Sequence, residues 1–252
     1  MNIIKRLLSK SLTRIAATSL LLLACSMPTW ATIVVFETSQ GDIEVNLFDE
    51  STPTTVDNFL SYVNDGSYIN SIIHRSLPGF IIQGGGNTFE GELPLTNIAS
   101  KPSVINEPVW SNQRGTIAMA KLGGNPNSAS NQWFFNLSDN SANLDNQNGA
   151  FTAFGQVTDE GMVVVDKIAS LNTCNAFVMP DYDCAGRITP GVENFVTIYS
   201  VSISDTSVTS ASDLTPLKSK YVPPSESGGI PLFSLFFLIG LTLLRQINIC
   251  KK

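Results

Sequence analysis

The sequence predicts a mainly β body, most economically a closed or nearly closed antiparallel barrel, with two helices packed on it. Three observations carry that expectation. Short apolar, strand-like runs recur between glycine-rich punctuation from residue 32 to residue 205. One of them alternates with period two, as a half-buried strand does. Only two stretches show helical periodicity, and a body with many short strands and two helices closes most simply as a barrel.

Taken in order, Thr32 to Thr38 is an apolar run, Ser39-Gln40-Gly41 a turn, and Asp42 to Phe48 alternates. Ile43, Val45 and Leu47 point one way and Asp42, Glu44 and Asn46 the other, so the pair predicts a hairpin with one buried face. Thr52-Pro53 offers an N-cap and a proline at the first helical position. Val56, Phe59, Leu60 and Val63 then follow at helical spacing, and Gly66 ends the helix. Strands are expected over His74 to Gln83, Thr116 to Ala120, Gln132 to Leu137 and Phe151 to Val157. A second helix fits Asp159 to Leu171, with Met162, Val165, Ile168 and Ala169 facing in, and Glu193 to Ile203 makes the last strand. Residues 206–229 are Ser/Thr/Pro-rich and predict a flexible linker.

Both ends of the 252-residue chain point to export. Lys5, Arg6, Lys10 and Arg14 precede an apolar stretch from Ile15 to Ala24, the pattern of a secretory signal over residues 1–31. Thr29-Trp30-Ala31 suits cleavage after Ala31; Leu22-Leu23-Ala24-Cys25 is a competing lipoprotein-like site. Residues 230–252 hold a second apolar block, Ile230 to Leu244, followed by Arg245, Lys251 and Lys252. As a helix that block spans about 22 Å, short of a ~30 Å hydrocarbon core but able to insert where the bilayer thins. With Ser227-Gly228-Gly229 before it, the tail resembles the bacterial GlyGly-type sorting tails, and an ordinary membrane anchor is the alternative. Once Cys25 leaves with the signal and Cys250 is placed on the cytoplasmic side, Cys174 and Cys184 remain as an even pair in an oxidising compartment. A bridge between them closes a short loop worth roughly 2–3 kcal/mol. The expected location is the bacterial periplasm, tethered or released after tail processing.

Charge excludes other classes. A net charge of −6 gives no cationic footing on nucleic acid. One histidine, His74, cannot complete a zinc site with a C-x9-C pair, so no metal and no cofactor are expected. Gly84-Gly85-Gly86 is followed by Asn-Thr-Phe-Glu-Gly without lysine, which removes a phosphate-binding loop. His74 has no nucleophile motif to serve and reads as a structural group. Arg75, beside it in an apolar run, is the residue that needs an explanation.

The run from His74 to Gly86, HRSLPGFIIQGGG, resembles the signature of cyclophilin-type peptidyl-prolyl cis-trans isomerases. Gly115 to Ala120 with Ser130 to Phe135 resembles the family's second block, and Leu144-Asp145 with Phe151 to Gly155 the third. The order and spacing hold from about Thr32 to Ile203. The resemblance implies an eight-stranded antiparallel barrel capped by two helices, acting on proline-containing polypeptides; a monomer is expected. It also assigns roles. Arg75 takes the catalytic position and Gln83 the position that bonds the substrate backbone. Phe80, Ile81, Met119, Phe134, Leu144 and Phe151 wall the proline pocket, and Ala120 lines the adjoining groove. Trp133 departs from the family's phenylalanine, while Asn143 and Phe151 stand where many eukaryotic members carry tryptophan and histidine. A proline-peptide-binding chaperone with little turnover is the competing reading.

Overall fold

The computed structural model describes residues 32–185, 189–205 and 215–221. The signal segment, Cys25, the Ser227-Gly228-Gly229 motif and the C-terminal apolar block lie outside the described residues. Among the described residues no helix is long and apolar enough to cross a membrane.

The expected hairpin forms as β1 (Ile33–Thr38) and β2 (Gly41–Leu47), in register from Ile33↔Asn46 to Thr38↔Gly41. Helix α1 (Pro53–Asn64) follows. Thr52 holds the N-cap position without capping, because its hydroxyl donates to Phe48 O at 3.1 Å. The cap comes from Glu107 instead: its carboxylate accepts from Thr54 N and Thr55 N at 3.2 and 2.8 Å. A carboxylate there also complements the positive end of the helix dipole. The buried face is Thr55, Val56, Asn58, Phe59 and Tyr62, with Leu60 and Val63 only partly covered, so the helix is rotated slightly from the expected stripe.

The middle of the chain supplies β3 (Ser71–Ile72), β4 (Arg75–Leu77), β5 (Ile81–Gly84), β6 (Asn87–Thr88), β7 (Thr96–Asn97), β8 (Thr116–Met119), β9 (Trp133–Asn136) and β10 (Ala153–Val157). His74 to Gln83 is therefore a hairpin where one strand was expected. Pro78-Gly79 turns it, with Gly79 at φ 70° and Phe80 N bonded to Leu77 O at 3.0 Å. Proline followed by a residue of positive φ is the composition a type II turn requires. A short helix α2 (Ser141–Leu144) precedes β10. Helix α3 (Asp159–Ala169) buries Met162, Val165 and Ile168, and Thr158 caps it by accepting from Gly161 N at 3.1 Å. A small hairpin of β11 (Thr173–Cys174) and β12 (Phe177–Val178) then leads to β13 (Thr197–Asp205). Cys174 and Cys184 are bonded, with Cα atoms 5.5 Å apart.

The main sheet runs β4-β5-β9-β8-β10-β2-β1-β13-β3-β6-β7, antiparallel throughout. It is mainly β as expected, with a larger strand count whose origin is visible. β3 and β4 are consecutive pieces of one bent segment: Ile73 N bonds Val196 O on the β13 side, and His74 N bonds Gln83 O on the β5 side. The segment thus joins the two flanks of the sheet. Counted as one strand, it completes a ring of eight with β5, β9, β8, β10, β2, β1 and β13, and β6-β7 hangs outside as a side hairpin. Inside the ring Phe36, Trp133 and Phe135 stack within 4.9–5.6 Å, with Phe59 of α1 at 5.9 Å from Phe36.

Part of the expected linker returns to this body. Ser111 N bonds Leu217 O at 2.8 Å and Ser219 N bonds Val109 O at 2.9 Å, so residues 215–221 lie as an extended strap along Val109 to Ser111. Composition suggested flexibility; backbone pairing, which composition does not encode, overrides it there.

Candidate active site

The β4–β5 hairpin places Arg75 directly opposite Gln83. The same lateral row continues through Gln83↔Phe134, Phe134↔Ala118 and Ala118↔Ala153, across β4, β5, β9, β8 and β10. Direct cross-strand partners share a face, so one row on the outer wall of the barrel is polar at one end and apolar at the other. Arg75 is exposed, and its Nη1 donates to Gln83 Oε1 at 3.1 Å. Gln83 Nε2 donates to Gln132 Oε1 at 2.7 Å. Both amides are thereby oriented. Arg75 keeps most of its five N–H donors free, and Gln83 keeps one.

Ile81, Ala118, Phe134, Leu144 and Ala153 form an apolar cluster distinct from the barrel interior, and Leu77, Phe80, Trp110, Ala120 and Phe151 pack around it. Phe134 and Phe151 meet edge to face, centroids 6.0 Å apart. Six of the seven residues expected to line the pocket and groove, Phe80, Ile81, Ala120, Phe134, Leu144 and Phe151, therefore come together. Met119 does not. It is fully buried in the interior cluster with Ile117 and Trp133. Successive strand residues alternate between faces, so Met119 and Ala120 cannot share a wall. The same alternation puts Trp133 inside, so its departure from the family pattern leaves the outer face untouched.

Several polar side chains hold this face; apart from Asp145, which the third block includes without a role, the sequence did not single them out. The Asp145 carboxylate is buried and accepts from Ser111 Oγ, Asn112 N and Asn112 Nδ2 at 2.6, 3.0 and 2.9 Å. Asn112 Nδ2 also donates to Phe151 O at 2.9 Å, and Phe151 N bonds Leu144 O at 3.0 Å, which fixes these two apolar residues to each other. Asn140 Nδ2 donates to Phe80 O at 2.8 Å and to Asn136 Oδ1 at 2.7 Å. Buried amides that satisfy one another in this way rigidify what they touch. Gln83, Ala120 and Gln132 also line a polar groove of about 470 Å³ together with Lys101, Ser103, Lys121 and Asn125.

His74 takes no part in this row. It lines a separate apolar cavity of about 570 Å³ with Leu93, Phe177, Met179 and Phe195, and its Nδ1 is buried without a partner. Burial, reinforced by the adjacent Arg75 charge, lowers its pKa from 6.5 to about 4. The unfolded chain binds a proton between those two values that the folded chain refuses. Stability is thus full above pH 6.5 and falls as pH drops toward 4, by about 3 kcal/mol in total. Because the chain has one histidine, its imidazole resonances report the site alone. They are expected to titrate near 4, and a midpoint near 6.5 contradicts this account. Among the described residues no group of His, Cys, Asp and Glu is placed to hold a metal ion.

The barrel thus carries an outward arginine–glutamine pair beside an aromatic cluster. The comparisons name the class. The family model for cyclophilin type peptidyl-prolyl cis-trans isomerase/CLD matches residues 33–199. Peptidyl-prolyl cis-trans isomerase A of Dickeya dadantii is 42% identical over 151 residues, 58% of this chain and 76% of the relative. Peptidyl-prolyl cis-trans isomerase B of Escherichia coli is 41% identical over 147 residues, 56% of this chain and 86% of the relative. A Cryptosporidium parvum cyclophilin type isomerase, solved in the presence of the dipeptide ala-pro, superposes with a TM-score of 0.53 at 25% identity, over 69% of this chain and 99% of its own. The chain belongs to the cyclophilin-type peptidyl-prolyl cis-trans isomerases and is an enzyme of that class.

Proposed function

We propose that the chain is an exported isomerase for X–Pro bonds of envelope or secreted proteins, with Arg75 as its catalytic residue. The observation that carries this reading is the lateral row from Arg75 through Gln83 to Phe134. An X–Pro amide rotates over a barrier of roughly 18–20 kcal/mol because resonance gives its C–N bond double-bond character. In the twisted state that resonance is broken and the nitrogen lone pair is localised. A guanidinium N–H from Arg75 donates to that lone pair. The apolar cluster holds the proline ring, and the free N–H of Gln83 bonds a substrate carbonyl. No proton is transferred and no bond is made or cut.

Export is supported by the basic and apolar run of residues 1–31 and by the Cys174–Cys184 bond, of a kind that persists in oxidising compartments. In this reading residues 1–31 are the signal and one isomerase domain follows it. The domain spans residues 32–205, and the pairing of residues 217 and 219 with Ser111 and Val109 supports including the strap up to Tyr221. Residues 222–229 are then a short linker to the tail at 230–252. Expression in a bacterium from the native leader tests both halves. Protein is expected outside the cytoplasm, beginning at Thr32 or at a lipid-modified Cys25, and accelerating cis/trans exchange of a short X–Pro peptide. Recovery in the cytoplasm with Met1 in place overturns export; a folded protein without acceleration overturns the site.

A further inference from the structure

The turn before Phe151 is unusual. Asn148, Gly149 and Ala150 have φ of 50°, 74° and 58°, three successive residues in the left-handed region, two of them with side chains. That conformation costs about 1–2 kcal/mol for each L-residue, so something must hold it. Two side chains do. Lys121 Nζ donates to Asn148 O at 2.9 Å, to Ala150 O, and to Asn106 Oδ1 at 3.2 Å. Asn106 Nδ2 donates to Gly149 O at 2.6 Å and to Ala150 O at 2.9 Å. The Lys121 ammonium also stands 4.7 Å from the centre of the Phe151 ring, whose edge-to-face partner is Phe134. Burial lowers the Lys121 pKa to about 8. At neutral pH it is still mainly charged, and the oxygens it donates to are two backbone carbonyls and the Asn106 amide.

We propose that Lys121 is a positioning residue of the isomerase: by gripping the Asn148–Ala150 turn and facing the Phe151 ring, it fixes Phe151 against Phe134 and sets the shape of the proline pocket. The proposal rests on the pocket assigned under the proposed function. Lys121 follows Ala120 at the end of β8, so one side chain ties the strand that borders the pocket to the loop that completes it. No contact with the twisting bond is implied. Loss of the grip therefore weakens capture of the proline ring and leaves the rate at saturation.

The test measures kcat and KM of the full chain on a short X–Pro peptide for wild type, Lys121→Met and Lys121→Arg. Lys121→Met keeps length and removes charge; its KM is expected to rise about tenfold with kcat within about twofold. Lys121→Arg keeps the charge and is expected to bring KM back to within about threefold of wild type. An unchanged KM in folded Lys121→Met, a loss in kcat alone, or a Lys121→Arg no better than methionine overturns the proposal. Should Lys121→Met fail to fold, Asn106→Ala removes the other donor to the same carbonyls and must raise KM; an unchanged value there overturns it equally. A wild-type protein that binds the peptide without turning it over counts against the underlying reading instead.

Discussion

Replacing Arg75 with alanine is expected to lower kcat/KM on an X–Pro peptide by at least tenfold and up to about a hundredfold. A charge-assisted hydrogen bond is worth roughly 1.5–3 kcal/mol, which is one to two decades of rate. The upper part of that range applies because Gln83 and Gln132 already orient the groups around the guanidinium, so little reorganisation remains at the moment of twisting. Folding should be spared. Arg75 is exposed and its side chain donates to Gln83, so stability should move by no more than about 0.5 kcal/mol. Arg75→Lys should fall between the two, since an ammonium lacks the planar fork that can donate to nitrogen and carbonyl together. A melting curve beside the kinetics separates these effects.

Gly85→Ala is expected to act oppositely, through the fold. A β-carbon at Gly85 would lie 2.5 Å from Asn131 O and 2.7 Å from Trp133 Nε1, at φ 79°. One obstacle is backbone and the other the indole at the centre of the barrel, so neither can swing aside. A loss of about 3 kcal/mol or more follows, lowering the melting temperature by roughly 10 °C. Gly79→Ala is the control, because Gly79 also has positive φ, at 70°, but nothing within 4 Å of the added carbon. It should lose only the conformational penalty of about 1–2 kcal/mol. Equal losses at the two positions would show that φ strain alone, and not close approach to Trp133, accounts for glycine at residue 85. The glycine run is thus a packing device: it lets β5 close on the start of β9, keeping Gln83 near Gln132.

Much of this was legible in the sequence, and the failures have specific causes. The β1–β2 hairpin and α3 announce themselves because local periodicity and local burial coincide there. The run from His74 to Gln83 misled because its apolar content suggested one strand, although Pro78-Gly79 is a turn pair. Met119 was assigned to the pocket wall from the register of blocks alone, although strand alternation turns it to the interior, away from Phe134 and Ala118. Helix α2, with four residues, is too short for periodicity to register. The Glu107 cap on α1 and the strap at residues 215–221 depend on partners far along the chain, which no local pattern reveals. The same holds for Asn112, Asn136, Asn140 and Asp145: a polar residue in sequence does not say that it will be buried and answered. Arg75, Gln83, Phe80, Phe134 and Leu144 were legible only as a register of blocks, since each alone is more often surface or core.

The central claim is that Arg75 acts on the twisting bond and not on the capture of peptide. Exchange NMR on an X–Pro peptide gives both quantities in one titration, the dissociation constant and the cis/trans exchange rate at saturation, for wild type and Arg75→Ala. The account predicts fast exchange for wild type, a dissociation constant changed by less than about threefold, and a saturated rate at least tenfold slower in the variant. A variant that exchanges bound peptide as fast as wild type, and differs only in how tightly it binds, would contradict it.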